Sequence, residues 1–330
     1  MPYENAQKAV AVFGDGIEAL LNGYYLQRFG FKADIYLSQP SSAAQIVPEL
    51  ISSWLCQYRD PVSRRLALQG IAELRDISID LGAQLLASTE GSIVFECRKT
   101  HVSKLEQFAE GCSRTGILVK RASTSGSVSL PIGSLAAFSF PQDVSLYPRT
   151  FYKLLMDALM RRGASIYSGR GLNQLQMDDH VYRITYGGST RRYDLAVQAR
   201  EPASCNSETE ASAGVAELKP ALVGRYASFE RLWDHISDDS SCTPAEPKSR
   251  ILSTIRRALT GTSQNGTYMD EDIDLTYLNF QRVPGHENAY FTSRSDGIAQ
   301  CVANARLLAE SLYAGQDAIA SERQSRMVVT

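Results

Sequence analysis

Histidine is scarce in this chain. There are four in 330 residues, His101, His180, His235 and His286, and no two stand at ligand spacing, which argues against a metal site. The six cysteines (Cys56, Cys97, Cys112, Cys205, Cys242, Cys301) form no CxxC pair, so a zinc ribbon is not indicated and reduced thiols in a cytoplasm are expected. No apolar run approaches the roughly 20 residues that a membrane-spanning helix needs. Neither sign of charge is in excess: 34 Lys and Arg against 36 Asp and Glu give a formal net charge of −2, which argues against a nucleic-acid surface. The opening MPYENAQKAV runs directly into a strand, so no secretory leader is expected. No internal repeat is visible.

What is present is a globular composition, 44% apolar and 21% charged, long enough to bury a full core in one large or two intertwined domains. The most informative stretch runs from Ala9 to Leu37. An apolar strand (Ala9 to Phe13) enters Gly14-Asp15-Gly16-Ile17-Glu18-Ala19, and an apolar-faced helix follows to about Phe29. Gly30 closes it, and a second strand reads Ala33 to Leu37. Strand, glycine-rich turn, helix and strand form the unit that holds the pyrophosphate of a dinucleotide. Gly14 permits the tight turn, Gly16 lets backbone N–H groups approach the phosphates, and Ala19 lets the helix pack on the sheet. The positive end of the helix dipole supplies the attraction. The acid expected about 20 residues on, for the ribose hydroxyls, is absent. Leu37 and Ser38 stand there, leaving Ser38 or Gln39 to bond a ribose.

Further along, the spacing predicts helices over Ile51–Tyr58, Val62–Leu81 and Lys104–Cys112. Gln84–Leu86 and Ser92–Glu96 read as a strand pair around Glu90-Gly91, and Leu135–Phe140 as a strand. Pro148 opens a helix in its first turn. Strands follow at Ala164–Tyr167, Leu172–Gln176, Val181–Tyr186 and Tyr193–Gln198. Glu201–Glu217, poor in large apolar residues, reads as a loop. After strands at Leu222–Phe229, Leu275–Phe280 and Ala289–Thr292, a last helix covers Ile298–Tyr313 and Gln316–Thr330 reads as a tail.

The order of these pieces resembles the D-amino-acid oxidase and glycine oxidase family of FAD-dependent amine oxidoreductases. The Gly14–Ala19 turn matches the family's N-terminal FAD fingerprint, and Leu66-Ala67-Leu68 through Gly82 resembles its next helix. Gly91-Ser92-Ile93-Val94-Phe95 is similar to its first substrate-domain strand. Ala137-Phe138-Ser139-Phe140-Pro141, Tyr147-Pro148 and Phe151 through Gly163-Ala164 are similar to a later run. Pro220 through Tyr226 resembles its return into the substrate sheet. Asp296-Gly297-Ile298, with the Ala-rich helix behind it, resembles the element that closes over the flavin.

The resemblance implies an α/β fold, with a Rossmann-like FAD-binding domain interleaved with a β-sheet substrate domain. The first would comprise 1–88 with 142–218 and 285–330, and the second, a substrate or cap domain, 89–141 with 219–284. FAD is the implied cofactor, with Gly14, Gly16, Ile17, Glu18, Ala19, Ser38, Gln39, Asp296, Gly297 and Ile298 as the residues that hold it. No metal is implied.

A carboxylate substrate wants a bidentate arginine, often with a tyrosine hydroxyl. Arg282 is the candidate by position within the resemblance. Tyr226 lies on a substrate-sheet strand, and Tyr290 and Arg294 flank the flavin-facing loop. The plainer readings are solvated arginines and sheet-surface tyrosines. The implied function is oxidation of a C–N bond of a small amine or amino acid, with hydride passing to the flavin and then to oxygen or another acceptor. One alternative is a non-catalytic or cofactor-poor member acting as a subunit with a partner protein. A flavin monooxygenase is the other, since Tyr147-Pro148-Arg149 and its helix also occur there. Homo- or hetero-oligomerisation is left open.

Overall fold

The computed structural model describes residues 8–14, 16–37, 49–54, 61–82, 85–122, 130–168, 172–178, 181–199, 222–223, 226–229, 280–282, 288–292 and 297–327. Its strands are β1 (Ala9–Gly14), β2 (Lys32–Leu37), β3 (Glu49–Ile51), β4 (Leu86–Ser88), β5 (Ser92–Glu96), β6 (Lys120–Arg121), β7 (Ala136–Phe140), β8 (Val144–Leu146) and β9 (Ile166–Ser168). They continue as β10 (Leu172–Asp178), β11 (Val181–Tyr186), β12 (Ser189–Tyr193), β13 (Leu195–Gln198), β14 (Leu222–Val223), β15 (Tyr226–Ser228), β16 (Phe280–Arg282) and β17 (Ala289–Thr292). The helices are α1 (Gly16–Arg28), α2 (Pro61–Asp80), α3 (Val102–Arg114), α4 (Pro148–Arg161) and α5 (Ile298–Met327). Contacts group the chain into two units.

The first unit comprises Met1–Ala44, Arg149–Pro202 and Asp274–Thr330. Its sheet runs β16-β17-β13-β1-β2-β9, parallel except for β16. Parallel strands covered on both faces read as near-continuous apolar runs, which is how Ala9–Phe13 and Leu195–Val197 read. The helix α1 lies tight on one face: a Cβ on Gly23 would stand 2.2 Å from Ile35 Cδ1 and 3.3 Å from Leu159 Cδ2. At its end the Gly30 N–H bonds the Gln27 carbonyl and the Phe31 N–H that of Leu26. Gly30 has a positive φ of 88°, the geometry that closes helices at glycine. Residues alternate faces along a strand, so Ala11, Tyr36 and Ala196 face away from α1. There they meet Tyr182, Ile184 and Tyr193 of the antiparallel β10-β11-β12 meander.

The expected single strand Tyr193–Gln198 is two strands in two sheets. The break is Asp194, whose N–H donates to the Ala9 carbonyl at 2.8 Å while its Oδ2 accepts from the Ala9 N–H at 2.8 Å. The last helix also outruns its expected end at Tyr313, continuing to Met327.

The second unit comprises Gln45–Pro148 and Ala203–Ile273. One sheet runs β14-β15-β5-β7-β6 and another β3-β8-β4. In α3, Leu105, Phe108, Ala109 and Cys112 recur at helical spacing and are buried. Leu105, Phe108 and Cys112 pack with Trp54, Val94, Phe140, Ala227 and Phe229. Three expectations change here. The start of the expected Ile51–Tyr58 helix is instead the end of β3, held by pairing with β8, and 55–60 lie outside the described residues. The strand pair expected around Glu90-Gly91 does not form, because β4 pairs with β8 while β5 pairs with β7 and β15. Residues 45–88, expected with the first domain, group with the second unit. The reason lies in their pairings: β3 and β4 bond β8, and Ala67 of α2 joins the Trp54 core.

Candidate nucleotide site

The turn after β1 leaves no room for a side chain at Gly14. Gly14 has φ +152°, and a Cβ there would stand 2.4 Å from the Ala199 carbonyl oxygen. The Ala199 N–H donates to the Phe13 carbonyl at 2.7 Å, drawing the end of β13 against the turn. Gly16 opens α1 at φ +61° and is buried. Ala19 is fully buried, and Ile17 half-buried. Glu18 is 1% exposed, its Oε1 accepting from Thr292 Oγ1 at 2.9 Å. That bond ties the first turn of α1 to the end of β17, and a carboxylate there also sits well with the helix dipole.

Before α5, Gly297 is exposed at φ +130° with nothing within 4 Å of a Cβ position, and Ile298 is half-buried. The first helical bond beyond it runs from the Cys301 N–H to the Gly297 carbonyl at 3.1 Å. Asp15, Ser38, Gln39, Arg294 and Asp296 lie outside the described residues. The end of β2 presents Leu37, 3% exposed, where a ribose would want an acid. The described residues therefore fit the diphosphate of FAD at the turn, and among them none at the end of β2 supplies a carboxylate for its ribose.

Of the four candidates on the substrate side, two come together. Arg282 and Tyr290 are register partners on β16 and β17. Tyr290 is half-buried and, after burial itself, helps to raise the pKa of Tyr182. Tyr226 is in the other unit, on β15 opposite Ile93. Sequence reasoning singled out neither Thr292 as the partner of Glu18 nor Asp34 of β2. An acid inside the apolar run Ala33–Leu37 is the signal that would have found Asp34.

Gly14→Ala should destabilise the first unit by about 1–3 kcal/mol, because the added methyl meets backbone and the φ is one that alanine avoids. Chemical denaturation checks it, and an unchanged midpoint would refute the crowding at Ala199.

No family model matches the chain, and no curated protein matches it by sequence. In structure it is similar to glycine oxidase from Bacillus cereus ATCC 14579, at 13% identity over 94% of this chain and 96% of that one, with a TM-score of 0.59. It is similar also to L-proline dehydrogenase from P. horikoshii (14% identity, 94% of each chain, TM-score 0.56). A third is iminodiacetate oxidase from Chelativorans sp. BNC1 (15% identity, 91% of this chain and 94% of that one, TM-score 0.56). These likenesses establish the fold as α/β and Rossmann-like. Among the described residues, no helix is long and apolar enough to cross a membrane, and no group of three His, Cys, Asp or Glu could hold a metal ion.

Proposed function

We propose that the chain is an FAD-dependent oxidoreductase that oxidises the C–N bond of a small amine or amino acid. The observation that carries this reading is the turn at the amino end of α1, where a Cβ on Gly14 would meet the Ala199 backbone and Gly16 opens the helix at φ +61°. It stands in a fold shared with proteins named for glycine, L-proline and iminodiacetate, and each of those compounds carries an amine and a carboxylate. When bound, FAD supplies the acceptor for a hydride from the carbon that bears the amine. The chain's own residues bind and orient. First-turn N–H groups of α1 take the diphosphate, and Gly297 admits a close backbone approach. Arg282 takes the substrate carboxylate in a two-bond grip, with Tyr290 its register partner on the neighbouring strand.

Purified protein should be yellow, or turn yellow with added FAD, and be bleached anaerobically by an amino acid. ADP should raise the thermal midpoint, since a ligand at 100 times its Kd adds about 2.7 kcal/mol. Arg282→Ala should raise KM for a carboxylate substrate by about tenfold to a hundredfold, from a lost charged hydrogen bond of about 1.5–3 kcal/mol, at unchanged flavin content. An unaltered KM removes Arg282 from the site. Leu37 in place of an acid favours a second reading, a cofactor-poor subunit that acts through a partner. Colourless protein whose midpoint neither FAD nor ADP moves would sink the first reading and leave the second.

A further inference from the structure

Between the parallel sheet and the meander of the first unit lies a layer of tyrosines. Phe13, Tyr36 and Tyr167 are in register across β1, β2 and β9. Their rings stack nearly parallel, with centroids 5.3 Å apart for Phe13 and Tyr36 and 4.8 Å apart for Tyr36 and Tyr167. Tyr186 of β11 leans on both tyrosines, 4.9 Å from Tyr167 and 6.0 Å from Tyr36. Tyr193 meets Tyr36 edge-on at 6.1 Å. Tyr36 and Tyr193 are buried, whereas Tyr167 and Tyr186 are half-buried.

The four hydroxyls are not equivalent. Tyr193 donates to Asp34 Oδ2 at 2.8 Å. That carboxyl is buried, and it also accepts from Arg191 Nη1 and from the Ser165 N–H, each at 2.9 Å. The Tyr36 and Tyr193 oxygens are 2.8 Å apart. A phenol has one proton, and that of Tyr193 is committed to Asp34, so Tyr36 must donate to Tyr193. The result is a one-way chain from Tyr36 through Tyr193 to Asp34. Tyr186 donates instead to the Ser168 carbonyl at 2.6 Å, which is no base. The Tyr167 hydroxyl is buried without a partner among the described residues. The Arg191 guanidinium lies 5.2 Å over the Tyr167 ring, where its charge opposes a positive hole.

We propose that this layer is a one-electron oxidation site at which Tyr36 loses an electron while its proton passes through Tyr193 to Asp34. The oxidant is a diffusible one-electron acceptor of high potential, which takes the electron through the half-buried Tyr167 and Tyr186 rings. The Tyr36 O–H bond breaks and leaves a neutral phenoxyl radical. Tyr193 gains that proton and gives up its own, Asp34 becomes the neutral acid, and the oxidant is reduced by one electron. A tyrosine holds a hole only if its proton can leave, because the cation radical of a phenol is a strong acid. Oxidation of a preformed phenolate is not the route, since burial holds both Tyr36 and Tyr193 above the usual phenol range. Tyr167 and Tyr186 carry the hole and do not keep it. The site does not depend on the FAD reading.

Flash photolysis of the full chain with a ruthenium polypyridyl sensitiser and a sacrificial quencher tests it, read by electron paramagnetic resonance and the tyrosyl absorption band. The chain has 16 tyrosines and 2 tryptophans, so variants must assign the signal. Tyr36→Phe and Tyr193→Phe should each lose the long-lived radical, and Tyr167→Phe, in which no proton path is cut, should keep a slower-formed one. In wild-type protein, formation should slow in deuterated water. A long-lived signal unchanged in both Tyr36→Phe and Tyr193→Phe overturns the site, as does the lack of an isotope effect. The isotope measurement uses no variant, so the lack of an effect overturns the site even where a substitution prevents folding.

Discussion

Gly16→Val is expected to abolish binding of FAD and of ADP. Gly16 opens α1 at φ +61° and is buried. A β-branched side chain is strained in that conformation by about 1–3 kcal/mol, and on the proposed reading it would crowd the first-turn N–H groups that take the phosphates. Loss of one or two bonds to a charged group, at about 1.5–3 kcal/mol each, lowers affinity by at least tenfold to a hundredfold. The measurement is the shift of thermal midpoint with ADP, taken beside circular dichroism to confirm that the fold survives. Gly14→Ala is the comparison, since its strain falls mainly on folding. If Gly16→Val kept its flavin, the phosphate site would lie elsewhere.

Asp143→Ala should cost the second unit about 3 kcal/mol, because it strands several buried donors together. Asp143 is fully buried, and its Oδ1 accepts from the Ser53 N–H at 2.6 Å and from the Ser53 hydroxyl. Its Oδ2 accepts from the Ser92 hydroxyl, which in turn accepts from Trp54 Nε1 at 3.2 Å. Arg75 staples the adjoining turn through the Pro141 carbonyl at 2.8 Å. Burial pushes the Asp143 carboxyl up from 3.8 to about 6, against the pull of the serine bonds and Arg75.

The sign of its pH dependence follows. The folded chain holds this proton up to about pH 6, whereas the unfolded chain releases it near pH 4. The stability it contributes is therefore full below about pH 4 and is lost as pH rises through about 6, by about 3 kcal/mol. Asp143→Asn should remove that slope. Wild-type and variant denaturation curves that stay parallel across this range would show that the carboxyl titrates normally.

Much of the first unit was legible because its signals are local. The Gly14–Ala19 turn, the helix to Phe29 and the Pro148 helix each follow from residues within a dozen positions. Pairing was harder to read, because register is set by partners distant in the chain. Nothing near Leu86 reveals that its neighbour is Leu146 rather than the strand after Glu90. The break at Asp194 was invisible for the same reason: its cause is the backbone of Ala9. Polar groups in apolar runs were under-read as well. Asp34 and Tyr36 look like ordinary strand residues until Arg191 and Tyr193 arrive from the meander. On the substrate side, Arg282 and Tyr290 were named from resemblance alone, and their pairing across β16 and β17 is what the structure adds.

The pair of hydrogen bonds between Asp194 and Ala9 has a bearing on how this chain can change. At that point the backbone leaves one sheet and enters the next within a single residue, clasped by the very first strand. An inserted residue would have to break both clasps and would slide β13 by one place, turning its core side chains to the wrong face. Surface loops of the same length tolerate such insertions freely, whereas here lengthening should be lethal to the fold. The three-stranded cover is thus no detachable module that recombination could trade away; it is sewn to the parallel sheet at that residue.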